Sequence, residues 1–172
     1  LDNIQLAVDA ADVLVGFNIK FDLHWLKRYG INFSKKRIWD CQLVEFILRN
    51  QSAAYPSLNA TAEYYDLGTK LDEVKENYWK NGIDTNEVPK EILADYLKRD
   101  VELTEQVMSK QMEELAKRPE LKRLVSLHNQ DLLVLQEMEY NGLKYDYDKS
   151  TVLGDELDEQ ISKLNIKLKS FH

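Results

Sequence analysis

Apolar and polar positions in the first 30 residues follow three patterns in turn. Residues 1 to 11 carry apolar side chains at the spacing of an amphipathic helix. Residues 13 to 17, Val-Leu-Val-Gly-Phe, form a continuous apolar run that ends at Asn18, which is typical of a buried parallel strand between helices. Helical spacing resumes from residue 21 to residue 29, and Gly30 suits the position after a helix. The pattern predicts helix, strand and helix in that order.

A second strand and two further helices are predicted after a polar loop. Residues 38 and 39, Ile-Trp, indicate a short strand, and Asp40 is predicted to cap the helix whose apolar face lies within residues 43 to 48. Residues 58 to 65 predict another helix. The charged segment 69–87 is predicted to be a mobile surface excursion. Helices that alternate with short strands indicate an α/β chain.

One long helix is predicted after Pro89, a residue that suits the first turn of a helix. Apolar spacing continues to about residue 115, and Pro119 then marks a boundary. Tyr96 and Asp100 are four residues apart, so this helix places them on one face.

Two helices are predicted beyond that boundary. The first carries apolar residues from 124 to 138 and ends at an Asn-Gly pair, residues 141 and 142. The second, over residues 153–168, repeats Leu and Ile at a spacing close to a coiled-coil seam. This seam is predicted to contact a core or a domain, and its partner surface is not all contained in the chain.

Composition limits the classes of function. Of 172 residues, 44% are apolar and 31% charged, which suits a folded core. The 23 basic and 30 acidic residues give a net charge of −7, which disfavours nonspecific duplex binding, so a nucleic-acid role has to be local. One cysteine, Cys41, indicates a reducing, cytoplasmic setting. No apolar run has the roughly 20 residues of a membrane helix.

Two short motifs carry candidate chemistry. The first is Asn18-x-x-Phe21-Asp22 behind the first predicted strand, and the second is Tyr96-x-x-x-Asp100 within the long helix. Two-metal hydrolysis of a phosphodiester needs several carboxylates around two divalent cations about 4 Å apart. Carboxylate oxygens prefer Mg²⁺ or Mn²⁺, so Asp22 and Asp100 are candidate ligands for such ions.

Taken with their surroundings, the motifs resemble the 3′–5′ proofreading exonucleases of the DEDD superfamily, in the tyrosine-bearing subclass. The chain is most similar to the exonuclease domain of family A DNA polymerases, the DNA polymerase I type. Residues 15–22 resemble that family's second exonuclease motif, 96–104 its third, and 39–48 the link between them. Residues 137–146 resemble the passage into the polymerase domain.

The resemblance implies a fold, domains and roles. It implies a ribonuclease H-like α/β fold, with residues 1–118 forming the exonuclease-like domain and residues 119–172 the helical start of a polymerase domain. Asp22 and Asp100 would ligate two Mg²⁺ or Mn²⁺ ions, and Tyr96 would orient the attacking water. Asn18 and Phe21 would lie along the 3′ end of single-stranded DNA. The partners would be that strand and the remainder of the same polymerase chain, and no membrane.

The family's first motif, an Asp-x-Glu on the opening strand, has no counterpart before Asp22. Asp9 and Asp12 lie in or beside a predicted helix, without the strand context. We therefore expect that the chain is an N-terminally truncated part of a longer protein, without the first antiparallel strands of the fold. Alone it is expected to be a poor nuclease, because the remaining carboxylates are too few.

Two other functions remain open at this level. The domain could have lost catalysis and serve a polymerase as a scaffold or single-strand-binding module. It could also be a stand-alone ribonuclease of the same superfamily, because the chemistry at the phosphate is identical. The basic run 35–37 and Cys41 are interpreted as structural features, a solvated loop and a buried small residue.

Overall fold

The computed structural model describes residues 1–52, 55–69 and 73–170. Residues 70–72 of the predicted excursion and residues 171–172 of the predicted helical segment lie outside this set. The described part is mostly helical, with one small sheet, and is therefore an α/β mix. In chain order its elements are α1 (Asp2–Ala10), β1 (Val13–Gly16), α2 (Ile19–Arg28), β2 (Arg37–Asp40), α3 (Cys41–Leu48), α4 (Leu58–Tyr64), α5 (Glu73–Asn77), α6 (Lys90–Lys117), α7 (Lys122–Asn141) and α8 (Tyr147–Lys169). The helices and strands predicted from the pattern are confirmed, whereas the ribonuclease H-like arrangement stays a prediction.

The sheet consists of β1 and β2, which pair in parallel from Val13 opposite Arg37 to Gly16 opposite Asp40. The prediction that the first strand is buried is only partly right, because its four residues are half-buried or exposed and Val15 is 37% exposed. A parallel strand is buried when neighbouring strands and helices cover its edges and both faces. In the described residues β1 pairs with β2 alone, so its other edge stays open.

Helices from both halves of the chain cover the sheet. Val8 of α1, Leu23 of α2 and Leu132 of α7 join Ile38 of β2 in one core cluster. Two further clusters join α3 and α4 to α6 and α7; their most buried members are Cys41, Ala62, Leu103 and Val107 in one, and Val44, Ile47 and Val125 in the other. Cys41 is fully buried, as predicted.

A buried polar network connects α3 to α6 and β2. Gln111 donates to the Glu45 carboxylate and to the Cys41 carbonyl, at 3.0 and 2.7 Å, and accepts from Trp39 Nε1 at 3.0 Å. Glu45 also pairs with Arg49, at 2.7 Å. Because buried polar groups are costly without partners, this network fixes the register of α6 against α3.

The predicted surface excursion contains ordered elements. It includes α5 and the short 3₁₀ helices Trp79–Asn81 and Thr85–Glu87. Val74 of α5 is fully buried, so this segment contributes to the packing of the protein.

The chain forms two compact units, Leu1–Tyr140 and Asn141–His172, the second described to residue 170. The first unit includes nearly all of α7 and therefore extends past the predicted boundary at 118/119. The second unit consists of α8, whose first turn is capped by Asp146 accepting from Lys149 N at 3.1 Å. The predicted seam of Leu153, Leu157, Ile161, Leu164 and Leu168 lies on this helix, with every side chain at least 50% exposed. The functional assignment of 1–118 and 119–172 stays a prediction.

Within residues 1–52, 55–69 and 73–170, no helix combines the length and the apolar composition needed to cross a membrane.

Candidate functional site

A cleft of about 950 Å³ lies between the end of β1, the first turn of α2 and the middle of α6. Asn18, Phe21 and Asp22 line it from the start of α2, and Asp100 lines it from α6. The cleft therefore brings together four of the five residues predicted from the two motifs. Tyr96 is not among the lining residues; it lies one helical turn before Asp100, and its ring meets Trp79 edge-on at 5.6 Å.

The turn from β1 into α2 shapes one wall of the cleft. Asn18 adopts a left-handed conformation, φ 61°, which asparagine tolerates better than most residues. Gly16 allows the close return of the chain, because a Cβ at this position would lie 2.8 Å from Ile19 Cβ. The sequence Gly16-x-Asn18 thus permits a turn so tight that Asp22 and Phe21 lie next to the strand end.

Asp40 fixes this turn from the neighbouring strand. Its Oδ1 accepts hydrogen bonds from the N–H groups of Gln42 and Leu43, at 2.9 and 3.1 Å, which confirms the predicted cap of α3. The same carboxylate accepts from the N–H groups of Asn18 and Ile19, at 3.2 and 3.0 Å. Burial raises the pKa of Asp40 above its ordinary value of 3.8, and these hydrogen bonds counteract the shift. One buried carboxylate therefore joins the starts of two helices.

Asp22 is an exposed residue in the first turn of α2. Its pKa is raised from 3.8, first by partial desolvation of the carboxyl group and further by the charge of Asp40, while a backbone hydrogen bond lowers it. A carboxylate beside a like charge and partly removed from water gains most from a cation. The electrostatic surroundings of Asp22 therefore suit a positively charged ligand.

Asp100 lies in the interior of α6 and lines the cleft from that helix. One of its carboxylate oxygens, Oδ1, is buried. Arg99 anchors this part of α6, since its guanidinium donates to the carbonyls of Leu67 and Thr69 at 3.1 and 3.2 Å. The position of Asp100 is thus set by a helix that is held both by the core and by the segment after α4.

The carboxylates of this chain are of the right type for Mg²⁺ or Mn²⁺ but too few for a two-ion centre. Asp22, Asp100 and Glu105 line the cleft, yet among the described residues no three His, Cys, Asp or Glu side chains come close enough together to hold a metal ion. Hard cations need six or more oxygen ligands, part of which water supplies. A complete centre would need further carboxylates besides Asp22 and Asp100.

Sequence reasoning missed two contributions to the site. Asp40 was predicted to cap α3, but not to hold the start of α2. Asn129 of α7 is buried and accepts from Asp40 N at 2.8 Å, although it lies 89 positions along the chain. No local sequence pattern could have predicted the contact between Asn129 and Asp40, because Asn129 occupies an ordinary position in a helical repeat.

Neither protein-family models nor curated proteins match the chain. The lining of the cleft includes two carboxylates, from α2 and α6, an exposed aromatic ring and an amide side chain at the turn.

Proposed function

We propose that the cleft binds the 3′-terminal nucleotide of single-stranded DNA in the 3′–5′ exonuclease domain of a family A-type DNA polymerase. The observation that carries the proposal is that Asn18, Phe21 and Asp22 share one cleft with Asp100, although the two motifs are far apart in the sequence. If the two motifs matched by chance, their residues would not be expected to line the same cleft. The reaction is hydrolysis of the terminal phosphodiester, which releases a 5′-monophosphate.

Five residues, four of them in the lining of the cleft, have a role in this proposal. Asp22 and Asp100 would each contribute a ligand to divalent cations, which would supply charge stabilisation for the attacking and leaving oxygens. Tyr96, one turn from Asp100, does not line the cleft in this chain; in the complete domain its hydroxyl group would orient the attacking water. Asn18 donates to the terminal nucleotide, and Phe21, which is 60% exposed, packs against its base.

The remaining carboxylates are proposed to come from a strand that pairs with the open edge of β1. Such a strand would run along the cleft wall formed by residues 14–17 and present its side chains to Asp22. It would also complete a larger sheet of the ribonuclease H-like type. In a sheet of two strands the backbone groups of β1 are paired on one edge only. A further strand could pair with its other edge.

Binding of Mn²⁺ to this chain tests the ligand assignment. With a 3′-hydroxyl oligothymidylate present, Mn²⁺ should broaden the amide NMR signals around Asp22 and Asp100. Asp22→Asn and Asp100→Asn should each remove most of this broadening, whereas Asp131→Asn, at an exposed position of α7, should not. Broadening that is unaffected by both cleft substitutions would refute the assignment.

Hydrolysis is tested with the full natural protein to which this sequence belongs. Asp22→Ala and Asp100→Ala should each reduce release of 5′-monophosphates by a factor of about 1,000 or more, as expected for loss of a group that stabilises transition-state charge. Unchanged release in either variant would contradict the proposal.

A second candidate is a strand-binding module without catalysis. The number of carboxylates favours it, because Asp22 and Asp100 alone are too few for two cations. This module would bind a 3′ end equally well with Mg²⁺ or with EDTA, whereas the exonuclease domain would bind more tightly with Mg²⁺.

A further inference from the structure

A row of exposed aromatic side chains begins in the cleft and continues along α2. Phe21, Trp25 and Tyr29 are four residues apart and therefore lie on one face of the helix. They are 60%, 47% and 60% exposed. The ring centroids are 6.3 Å apart between Phe21 and Trp25 and 6.4 Å apart between Trp25 and Tyr29. We call these three side chains the α2 aromatic row; eight residues of helix make it about 12 Å long.

The row is not needed for the core of the first unit. The opposite face of α2 provides the buried side chains Ile19 and Leu23, with Leu26 packed against them. Large aromatic residues are costly to leave in water, and contiguous exposed apolar patches commonly mark binding sites. The large apolar side chains that α2 exposes are all aromatic. This favours a ligand with flat π faces.

The charge around the row suits an anionic ligand, although the chain as a whole has a net charge of −7. The guanidinium group of Arg28 lies 5.8 Å from the centre of the Trp25 ring. Lys20 and Lys27 of the same helix form ion pairs with Glu139 and Glu137 of α7. Arg28 thus lies over one face of the Trp25 ring, where it would meet a phosphate of a strand whose bases stack on the remaining ring faces of the row.

We infer that the α2 aromatic row binds successive bases of an unpaired DNA strand as it leaves the cleft. The 3′-terminal base packs on Phe21, the next base stacks on Trp25, and the third stacks on Tyr29. Arg28 contacts the backbone between them. The polarity of the strand rests on the proposed function, because that function places the 3′ end in the cleft. The row therefore adds contacts, through Trp25 and Tyr29, to the second and third unpaired nucleotides from the 3′ end.

Fluorescence anisotropy with 5′-fluorescein-labelled hexathymidylate tests the row in the full chain. The buffer contains EDTA, so binding does not depend on divalent cations. Trp25→Leu and Tyr29→Leu should each weaken binding about tenfold, the usual effect of losing one base–aromatic stack. Tyr147→Leu, at a 72% exposed position of α8, is the matched control and should bind as the unmodified chain does. Equal affinity of all three variants would overturn the inference.

Two further measurements separate stacking from a generic apolar contact. A hexamer of abasic deoxyribose phosphate has the same charge and should bind at least tenfold more weakly than hexathymidylate. Trp25→Phe, which keeps a π face, should restore most of the affinity that Trp25→Leu loses. Circular dichroism should show unchanged helix content in each variant. Equal binding of the abasic hexamer would show that phosphates alone are recognised and would overturn the inference.

The length of the bound oligonucleotide shows which base contacts which aromatic side chain. Tyr29→Leu should weaken binding of hexathymidylate but not of dithymidylate, which reaches only Phe21 and Trp25. A contribution of Tyr29 to dithymidylate binding would contradict the proposed order of bases. If sedimentation instead showed that Trp25→Leu dissociates a dimer of the chain, the row would be a protein contact and the inference would be wrong.

These outcomes are separable from failure of the proposed function. The row variants could lose hexathymidylate binding while the substitutions of Asp22 and Asp100 leave the Mn²⁺ broadening unchanged. This result would support the base-binding row and refute the exonuclease. Normal binding in the row variants, with the expected dependence of Mn²⁺ on Asp22, would retain the exonuclease and refute the row.

Discussion

Asp40 Oδ2 accepts a hydrogen bond from the backbone N–H of Ile19, with 3.0 Å between the two heavy atoms. Ile19 is the first residue of α2, the helix that carries Asp22, and Asp40 is the cap of α3. The position of Asp22 in the cleft is therefore coupled to a buried carboxylate on the neighbouring strand. This coupling can be tested through stability and through titration.

Asp40→Asn should lower the free energy of unfolding by about 1–3 kcal/mol at pH 7, because an amide group has one acceptor oxygen and turns its NH₂ toward an N–H donor. Urea unfolding followed by circular dichroism measures the change. Asp131→Asn is the control at an exposed site and should unfold as the unmodified chain does. A loss below about 0.5 kcal/mol, within the range of ordinary surface substitutions, would contradict the role of Asp40 as a shared cap.

The titration of Asp22 should depend on Asp40. The folded-state pKa of Asp22 lies above 3.8, so its contribution to stability is present below pH 3.8 and lost as the pH rises through the folded-state value. Asp40→Asn removes one cause of the increase, and the pKa of Asp22 should move down toward 3.8. Carboxyl ¹³C NMR measures this shift, with Asp131→Asn as the unchanged reference. Movement in the opposite direction would exclude a repulsive interaction between the two carboxylates.

The pH dependence of cation binding follows from the same pKa. Mn²⁺ needs the ionised form of Asp22, so its affinity for the cleft should fall as the pH drops through the raised pKa of this residue. In Asp40→Asn the fall should occur at lower pH. An unchanged midpoint in this variant would show that Asp40 does not act on the cation site through Asp22.

Gly16→Ala should destabilise the first unit by about 1–3 kcal/mol, as expected for overpacking a close approach. The added Cβ would lie 2.8 Å from Ile19 Cβ and Cγ1, and the turn into α2 would have to move. Gly154→Ala is the matched control, because a Cβ there meets nothing within 4 Å. Thermal unfolding measures both, and equal melting of Gly16→Ala and the unmodified chain would mean that the turn accommodates a side chain.

Shortening the chain tests where the first unit ends. A chain ending at Tyr140 should unfold as the first unit does in the full chain, whereas a chain ending at Arg118 should lose roughly 4–8 kcal/mol, from removal of the buried side chains of α7 and of the Asn129 partner of Asp40. Because small domains are stable by about 5–15 kcal/mol, the shorter chain should be largely unfolded. Equal stability of the two chains would instead support a boundary at 118/119.

Much of the local structure could be predicted because it depends on residues close in the sequence. The apolar run before Asn18, the helical spacing after it and the glycine at position 30 each describe one element and its end. The cap by Asp40 was also predictable, since the amides of Gln42 and Leu43 are its neighbours. That Asn18, Phe21 and Asp22 lie on one turn could be predicted from the motif and the strand before it.

The packing of α7 could not be predicted in the same way. Its apolar repeat is compatible with a separate helical domain, and the change of register after Pro119 favoured that interpretation. In the structure Val125 and Leu132 complete core clusters of the first unit. Which surface an amphipathic helix buries depends on the shape and vacancy of its neighbours, and the spacing of its own residues does not contain this information.

The sequence by itself determined the order of the two strands and of most helices, the cap of α3 by Asp40 and the residues that form the two motifs. Its periodicities report which face of an element is apolar, and hydrogen bonds within a turn join near neighbours. Only the tertiary structure decided that Asp100 lines the same cleft as Asp22, that Asp40 holds the start of α2, and that Asn129 holds Asp40. Each of these relationships joins distant parts of the chain, and it exists because the core clusters bring β1, α6 and α7 together.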